Sequence, residues 1–159
     1  MSGQGTNLAE ERHIVNVLPP ISVAGGVTGD RFRMKHHGHA SIIIQLGVTA
    51  EAAEKIIVRE CDAATGGTVT DIAFNVYKEE TDGGDTLGAR TEVAATGLTP
   101  VDTDNIFYVI EIDARELSDG YEWIEVAIQA GTGASILCSI VAVLSGARFA
   151  NDQNQTAIA

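Results

Sequence analysis

Three imidazoles fall within four residues at Lys35-His36-His37-Gly38-His39, and imidazole nitrogens are good ligands for zinc or nickel. In an extended chain His37 and His39 share one side and His36 points to the other, so at most two converge unless the backbone distorts at Gly38. No Cys or His elsewhere stands at ligand spacing to complete a site, and His13 is isolated. The cluster therefore reads as an exposed turn. Its chemical alternatives are a metal site and a pH-sensitive contact with an acidic partner.

Other candidate chemistry is thinner. Asp82-Gly83-Gly84-Asp85 and Asp102-Thr103-Asp104-Asn105 offer carboxylates for calcium, but the second stretch lacks the glycine at the sixth position and the glutamate at the twelfth of a calcium loop. Both read as solvated loops. No Gly-x-Ser-x-Gly elbow is present, and Gly25-Gly26-Val27-Thr28-Gly29 lacks the Gly-Lys-Ser/Thr that cradles phosphate. Paired acids such as Glu79 and Glu80 sit where exposed faces or turns are expected. One Trp and three Tyr give no aromatic platform for bases or sugars. We expect neither an enzyme nor a cofactor.

The charge balance narrows the partners. With 22 acidic against 10 basic residues, the formal net charge of −12 repels phosphate backbones and anionic membranes. Met1 to Glu11 has no basic segment followed by an apolar one, so no secretory signal is expected, and no apolar run approaches the roughly 20 residues of a membrane helix. Expected partners are thus proteins, with no nucleic acid and no membrane. Cys61 and Cys138 each lie inside an apolar strand pattern and read as buried free thiols, with a disulfide open only if their strands are adjacent. Asn154-Gln155-Thr156 matches a glycosylation acceptor, which has no meaning without secretion.

The elements that position these residues follow from apolar periodicity. Tyr121 to Leu144 is a nearly continuous apolar run broken at Gly131-Thr132-Gly133, and it reads as a central hairpin. Ile124, Val126 and Ile128 alternate with Glu125, Ala127 and Gln129. Beyond the turn, Ile136, Cys138, Ile140, Ala142 and Leu144 form one side while Leu137, Val141 and Val143 form the other, so this strand must be covered on both sides. Further strands are expected at Phe32 to Met34, Ala40 to Leu46, Ile56 to Asp62, Ile72 to Tyr77, Thr91 to Ala94 and Ile106 to Asp113, with a helical turn at Thr49 to Lys55. With 17 glycines and only 5% aromatic residues, about eight short strands predict an all-β chain, an antiparallel two-sheet β-sandwich, jelly-roll-like.

Three segments are expected. Residues 1–29 read as an extended N-terminal arm in which Ile14, Val15, Val17 and Leu18 form a short strand stopped by Pro19-Pro20, with Ile21 leading into Gly25-Gly26. Such a strand suits pairing with the sheet edge of a neighbouring chain. Residues 30–150 form the sandwich, and 151–159 a flexible tail.

The body from Lys35 to Phe149 resembles the capsid decoration, or auxiliary head, proteins of tailed bacteriophages. The likeness lies in His39-Ala40-Ser41-Ile42-Ile43-Ile44-Gln45-Leu46-Gly47; in Ile56-Ile57-Val58-Arg59-Glu60-Cys61-Asp62 with its Ala-Thr-Gly-Gly loop and the strand Val69 to Phe74; and in Tyr108 to Ile112, Tyr121 to Ile128 and Ile136 to Gly146 with Arg148 after it. Where such proteins carry Arg-Tyr-hydrophobic-Arg on the penultimate strand, this chain has Tyr121-Glu122-Trp123-Ile124-Glu125, which reverses the charge. The resemblance implies a binding module without catalytic residues, often a homotrimer, on the capsid exterior, where it cements subunits of the major capsid protein. Independently of the resemblance, the arm residues Ile14, Val15, Val17, Leu18 and Ile21 are candidates for a capsid contact by strand addition, and Arg31, Arg33, His37, His39 and Trp123 are candidates for a subunit interface. Two other roles compete: a tail, neck or head-fibre protein of the virion, and a small ligand-binding or hydrolytic sandwich centred on His36, His37 and His39.

Overall fold

A computed structural model describes residues 5, 7–48, 53–80, 84, 86–101, 103–130 and 135–148. Leu8–Glu11 (α1) is a single helical turn, and Ala114–Glu116 is a turn of 3-10 helix. Everything else regular among these residues is extended: His13–Ala24 (β1), Val27–Thr28 (β2), Phe32–Arg33 (β3), His37–Leu46 (β4), Ala53–Cys61 (β5), Val69–Asp71 (β6), Phe74–Lys78 (β7), Thr91–Val93 (β8), Ile106–Asp113 (β9), Trp123–Ala130 (β10) and Ser135–Ala147 (β11).

The strands divide between two antiparallel sheets, ordered β1-β11-β4-β9-β7-β8 and β2-β10-β5-β6, with β3 also on β10. If β3 is taken as the continuation of β2, and β7 and β8 as additions outside β9, the remaining eight strands alternate between sheets except for the β5–β6 pair, which stays in the smaller one. They give the orders 1-11-4-9 and 2-10-5-6, the double Greek key of a jelly roll. Period-two alternation places Val15, Ile42, Ile44, Ile110, Ile140 and Leu144 of one sheet against Phe32, Ile56, Val58, Ile124, Val126 and Ile128 of the other in one buried cluster. Truncating any of these isoleucines to Ala should cost about 2–5 kcal/mol, because both the transfer energy and the filled volume are lost.

Two sequence expectations are corrected. The run Tyr121 to Leu144 is not a hairpin: β10 pairs with β5, β2 and β3, whereas β11 pairs with β1 and β4, so the two strands belong to opposite sheets and meet through their core-facing side chains. Periodicity records which face is buried and is silent on which strand supplies the ladder. The stretch Thr49 to Lys55 also ends in strand rather than helix, with β5 starting at Ala53.

The arm boundary moves as well. Residues 13–24 are an edge strand of the larger sheet, laddered to β11 from His13↔Leu144 to Ala24↔Ser135, and Val15, Val17 and Leu18 are buried in the core. Pro19 and Pro20 do not stop the strand. Register shifts between Asn16 and Leu18 and between Leu18 and Ile21 are bulges, and an edge strand tolerates residues that cannot donate to a ladder. The chain then crosses tightly over β1. Asp30 N–H donates to the Val17 carbonyl at 2.9 Å, and a Cβ on Gly29 would lie 2.7 Å from Val17 Cγ1, so only glycine fits there. The tail 151–159 lies outside the described residues.

Candidate functional site: the outer faces of the two sheets

The alternation that fills the core also sets which side chains point outward, and the two outward faces differ. On the smaller sheet, β10 and β5 place Glu125 opposite Arg59 and Trp123 opposite Cys61, while β3 sets Arg33 beside Trp123. Glu125 is buried, yet it is fully used. Arg31 Nε donates to its Oε2 at 2.8 Å and Arg59 donates through a terminal nitrogen to its Oε1 at 3.1 Å. Arg31 also donates to the carbonyls of Ala63 (2.9 Å) and Gly66 (2.7 Å), and Arg59 Nε to Asp71 at 3.0 Å. A carboxylate removed from water needs such partners. Hydrogen bonding to Glu125 holds the Arg31 guanidinium above its ordinary pKa, and burial works against it.

Beside this cluster, Arg33 donates to Glu122 Oε2 and lies 5.6 Å from the centre of the Trp123 ring, a cation-π contact. That hydrogen bond draws the Glu122 carboxyl below its usual range. Trp123, only 8% exposed, is thus covered by its own chain, as are Ile57 and Ala127. Gly97, at φ +91°, lies so close that a Cβ there would be 2.9 Å from Ile57 Cγ1.

His13, which the sequence left isolated, and His36 lie beside His37, whereas His39 stands apart with two carboxylates. His37 is buried and stacks on His13 with ring centres 5.7 Å apart; its Nδ1 has no hydrogen-bond partner among the described residues. Burial, with the nearby His13 and His36, pushes its pKa down. His39 Nε2 lies 2.6 Å from Glu111 Oε2 and Nδ1 lies 3.0 Å from Asp113 Oδ1, while Ser41 Oγ donates to the same Glu111 oxygen at 2.7 Å. Burial lowers the His39 pKa, but the hydrogen bonds and charges of the two carboxylates outweigh it and leave it raised. Both ring nitrogens then donate, as an imidazolium can. Among the described residues no three His, Cys, Asp or Glu side chains converge as metal ligands. Cys61 and Cys138 are free and buried in different sheets, and burial pushes the Cys61 thiol up to about 11.

Arg31, Arg33, His37, His39 and Trp123, read from sequence as interface residues, are therefore each engaged inside their own chain. Of the arm residues, Ile14 and Ile21 remain exposed at 47% and 39%. Sequence reading did not pair Glu111, Asp113 and Glu125 with their cations. The available clue was strand alternation, which puts Glu111 and Asp113 on one face of β9 opposite Ser41 and His39.

The outer face of the larger sheet has no comparable cover. One register line runs Asn16, Val141, Ile43, Val109 and Tyr77 across β1, β11, β4, β9 and β7, and the next runs Ser139, Gln45 and Phe107. These side chains are half-buried or exposed, and Leu137 on the same side of β11 is 43% exposed. Among the described residues no helix is long and apolar enough to cross a membrane.

No protein-family model matches the chain, and no curated protein matches it. Among solved structures, it is similar to the crystal structure of SPBc2 prophage-derived protein YomS, at 12% sequence identity and a TM-score of 0.44, over 84% of this chain and 92% of that one. Similarity at that level fixes neither family nor function.

Proposed function

We propose that this chain is a structural protein of a tailed-phage virion, a capsid decoration protein that binds the outer surface of the head and stabilises contacts between major capsid protein subunits. The observation that carries this reading is the contrast between its polar and apolar surfaces. Arg31, Arg33 and His39, singled out by sequence, are consumed in contacts within the chain and His37 is buried, while an apolar face stays open on the larger sheet. Surfaces of that kind mark protein contact rather than chemistry on a small substrate. Jelly rolls serve viral shells, lectins and other modules alike, so the fold by itself does not choose among them. The residue patterns of β4, β5 and β9 to β11 that resemble decoration proteins favour the virion, and the acidic composition suits a protein displayed outside the shell, away from the genome.

In this reading the chain assembles in the host cytoplasm, acts on the capsid exterior as a homo-oligomer, and uses no cofactor. The capsid contact lies along β1, which is held to its own sheet through Val15, Val17 and Leu18 and presents Ile14 and Ile21 outward. It is a fixed edge rather than a free arm. Co-sedimentation with phage heads lacking the protein tests this: Ile14→Asp combined with Ile21→Asp should weaken attachment about tenfold or more, while Thr70→Asp on the exposed strand β6 should not. Full occupancy by the Ile14/Ile21 variant would remove β1 as the contact.

A further inference from the structure

We infer that the outer face of the six-stranded sheet is the docking surface for a second copy of this chain, packed sheet on sheet about a two-fold axis. The inference rests on reading the chain as a protein-binding module, and not on the capsid as its partner. Its starting point is the different treatment of the two outer faces. On the smaller sheet, Ile57, Ala127 and Trp123 turn away from the core yet are covered by arginines and by the segment around Gly97. On the larger sheet, Val141, Ile43, Val109 and Tyr77 stand side by side in one register line and are left half-covered, with Leu137 nearby open to solvent. A strand such as β11, apolar on both sides, calls for a layer on each side.

Charge selects the occupant. The chain carries a net −12, so two copies approach each other at low cost only through a surface without charge. The line Asn16-Val141-Ile43-Val109-Tyr77 contains no ionisable group except the tyrosine phenol, and the adjacent line Ser139-Gln45-Phe107 ends on Glu79, which is buried and whose carboxylate accepts from the Phe107 N–H. Of the other charged groups on the face, His39, Glu111 and Asp113 are gathered toward the end where β9 finishes and are already bonded to one another, and Glu92 lies at the β8 edge opposite Asn75. A strongly basic partner would find no acidic counterpart in the centre, whereas a second copy brings an identical apolar, twisted sheet. Such a contact is isologous, and aligned sheets pack about 10 Å apart at roughly 30°.

The size is sufficient. Six strands at about 4.8 Å and some eight residues at about 3.4 Å outline a face near 25 by 27 Å, on the order of 650 Å² before side-chain relief, close to the roughly 800 Å² per partner of a standard interface. A flat face meeting its own copy closes at two, so the geometry favours a pair where the resemblance to decoration proteins implies three.

Sedimentation velocity on the full chain tests this. The expected species has twice the 16.7 kDa chain mass, and the pairing should tighten as salt is raised, because salt screens the acidic rims and strengthens apolar burial. Val109→Lys and the milder Gln45→Lys, which alters an already exposed residue, should each weaken pairing about tenfold or more, with Thr70→Lys as the unchanged control. A wild-type chain that stays monomeric at high micromolar concentration, a trimer, or pairs indifferent to both face variants would overturn the inference. A wild-type chain that pairs but does not attach to heads would sink the capsid reading and leave this one standing.

Discussion

Val141 of β11 lies directly opposite Ile43 of β4, and both turn away from the core. The relationship fixes β11 in the larger sheet, next to β4, and not in a hairpin with β10. It also puts two aliphatic side chains next to each other on a surface that the chain leaves open. The fold and the proposed pairing surface therefore share a single line of residues.

A cross-linking experiment follows from that register. Directly paired residues on adjacent antiparallel strands have Cα atoms about 4.5–5.5 Å apart, within disulfide range. Val141→Cys with Ile43→Cys should therefore oxidise to an intrachain disulfide, seen as a mobility shift on a non-reducing gel. Gln129→Cys with Ser135→Cys, the pair a β10–β11 hairpin would align, should not. Background is low: the buried Cys61 thiol, pushed up to about 11, is almost wholly protonated at neutral pH. The reverse outcome would restore the hairpin.

Glu125 is held between Arg31 and Arg59 with little solvent around it. Replacing it by Ala strands the Arg31 guanidinium in a poorly hydrated place and frees the loop whose carbonyls Arg31 grips. Loss of one partner from a buried pair costs about 3 kcal/mol, which for a chain of this size lowers Tm by about 6–12 °C. Urea unfolding should report the same loss, and Glu125→Gln, which keeps one acceptor oxygen but loses the charge and turns an NH2 toward the second arginine, should fall between. A change within about 0.5 kcal/mol would mean the cluster is surface decoration of the ordinary kind.

The two neighbouring histidines should shape the pH profile in opposite senses. The folded-state pKa of His39 is raised by Glu111 and Asp113. Its contribution is therefore complete below the ordinary value of about 6.5 and is lost as pH rises through the folded value. For His37 the folded-state pKa is lowered by burial. Its contribution is present above about 6.5 and is lost as pH falls through the folded value. Between about pH 5.5 and 8, stability should peak near 6.5. His39→Gln should flatten the alkaline limb, and His37→Phe, which keeps a ring against His13, the acid limb. Denaturant midpoints across that range check both; an unchanged profile in either variant contradicts the assignment for that residue.

Much of the fold was legible in the sequence because period-two alternation is the direct imprint of a half-buried strand. The stretches around β4, β9, β10 and β11 all declare themselves that way. What alternation does not carry is pairing: Ile124 and Ile140 look alike whether their strands are neighbours in one sheet or lie in opposite sheets across the core. The prolines misled for a related reason, since Pro19 and Pro20 end a central strand but are accommodated at an edge with bulges. The polar clusters were half legible. The histidines stood out by type, whereas the partners of His39 lie more than seventy residues away, brought close by the β4–β9 register.

The proposed role is a coat on the outside of a phage head. Quantitative mass spectrometry of purified virions of the phage that encodes it tests that directly, as the ratio of this chain to the major capsid protein. Copies are expected in a fixed ratio approaching one per capsid subunit or per small group of subunits, all removable from the outside without opening the shell. A dozen copies or fewer per particle, or none, would contradict it.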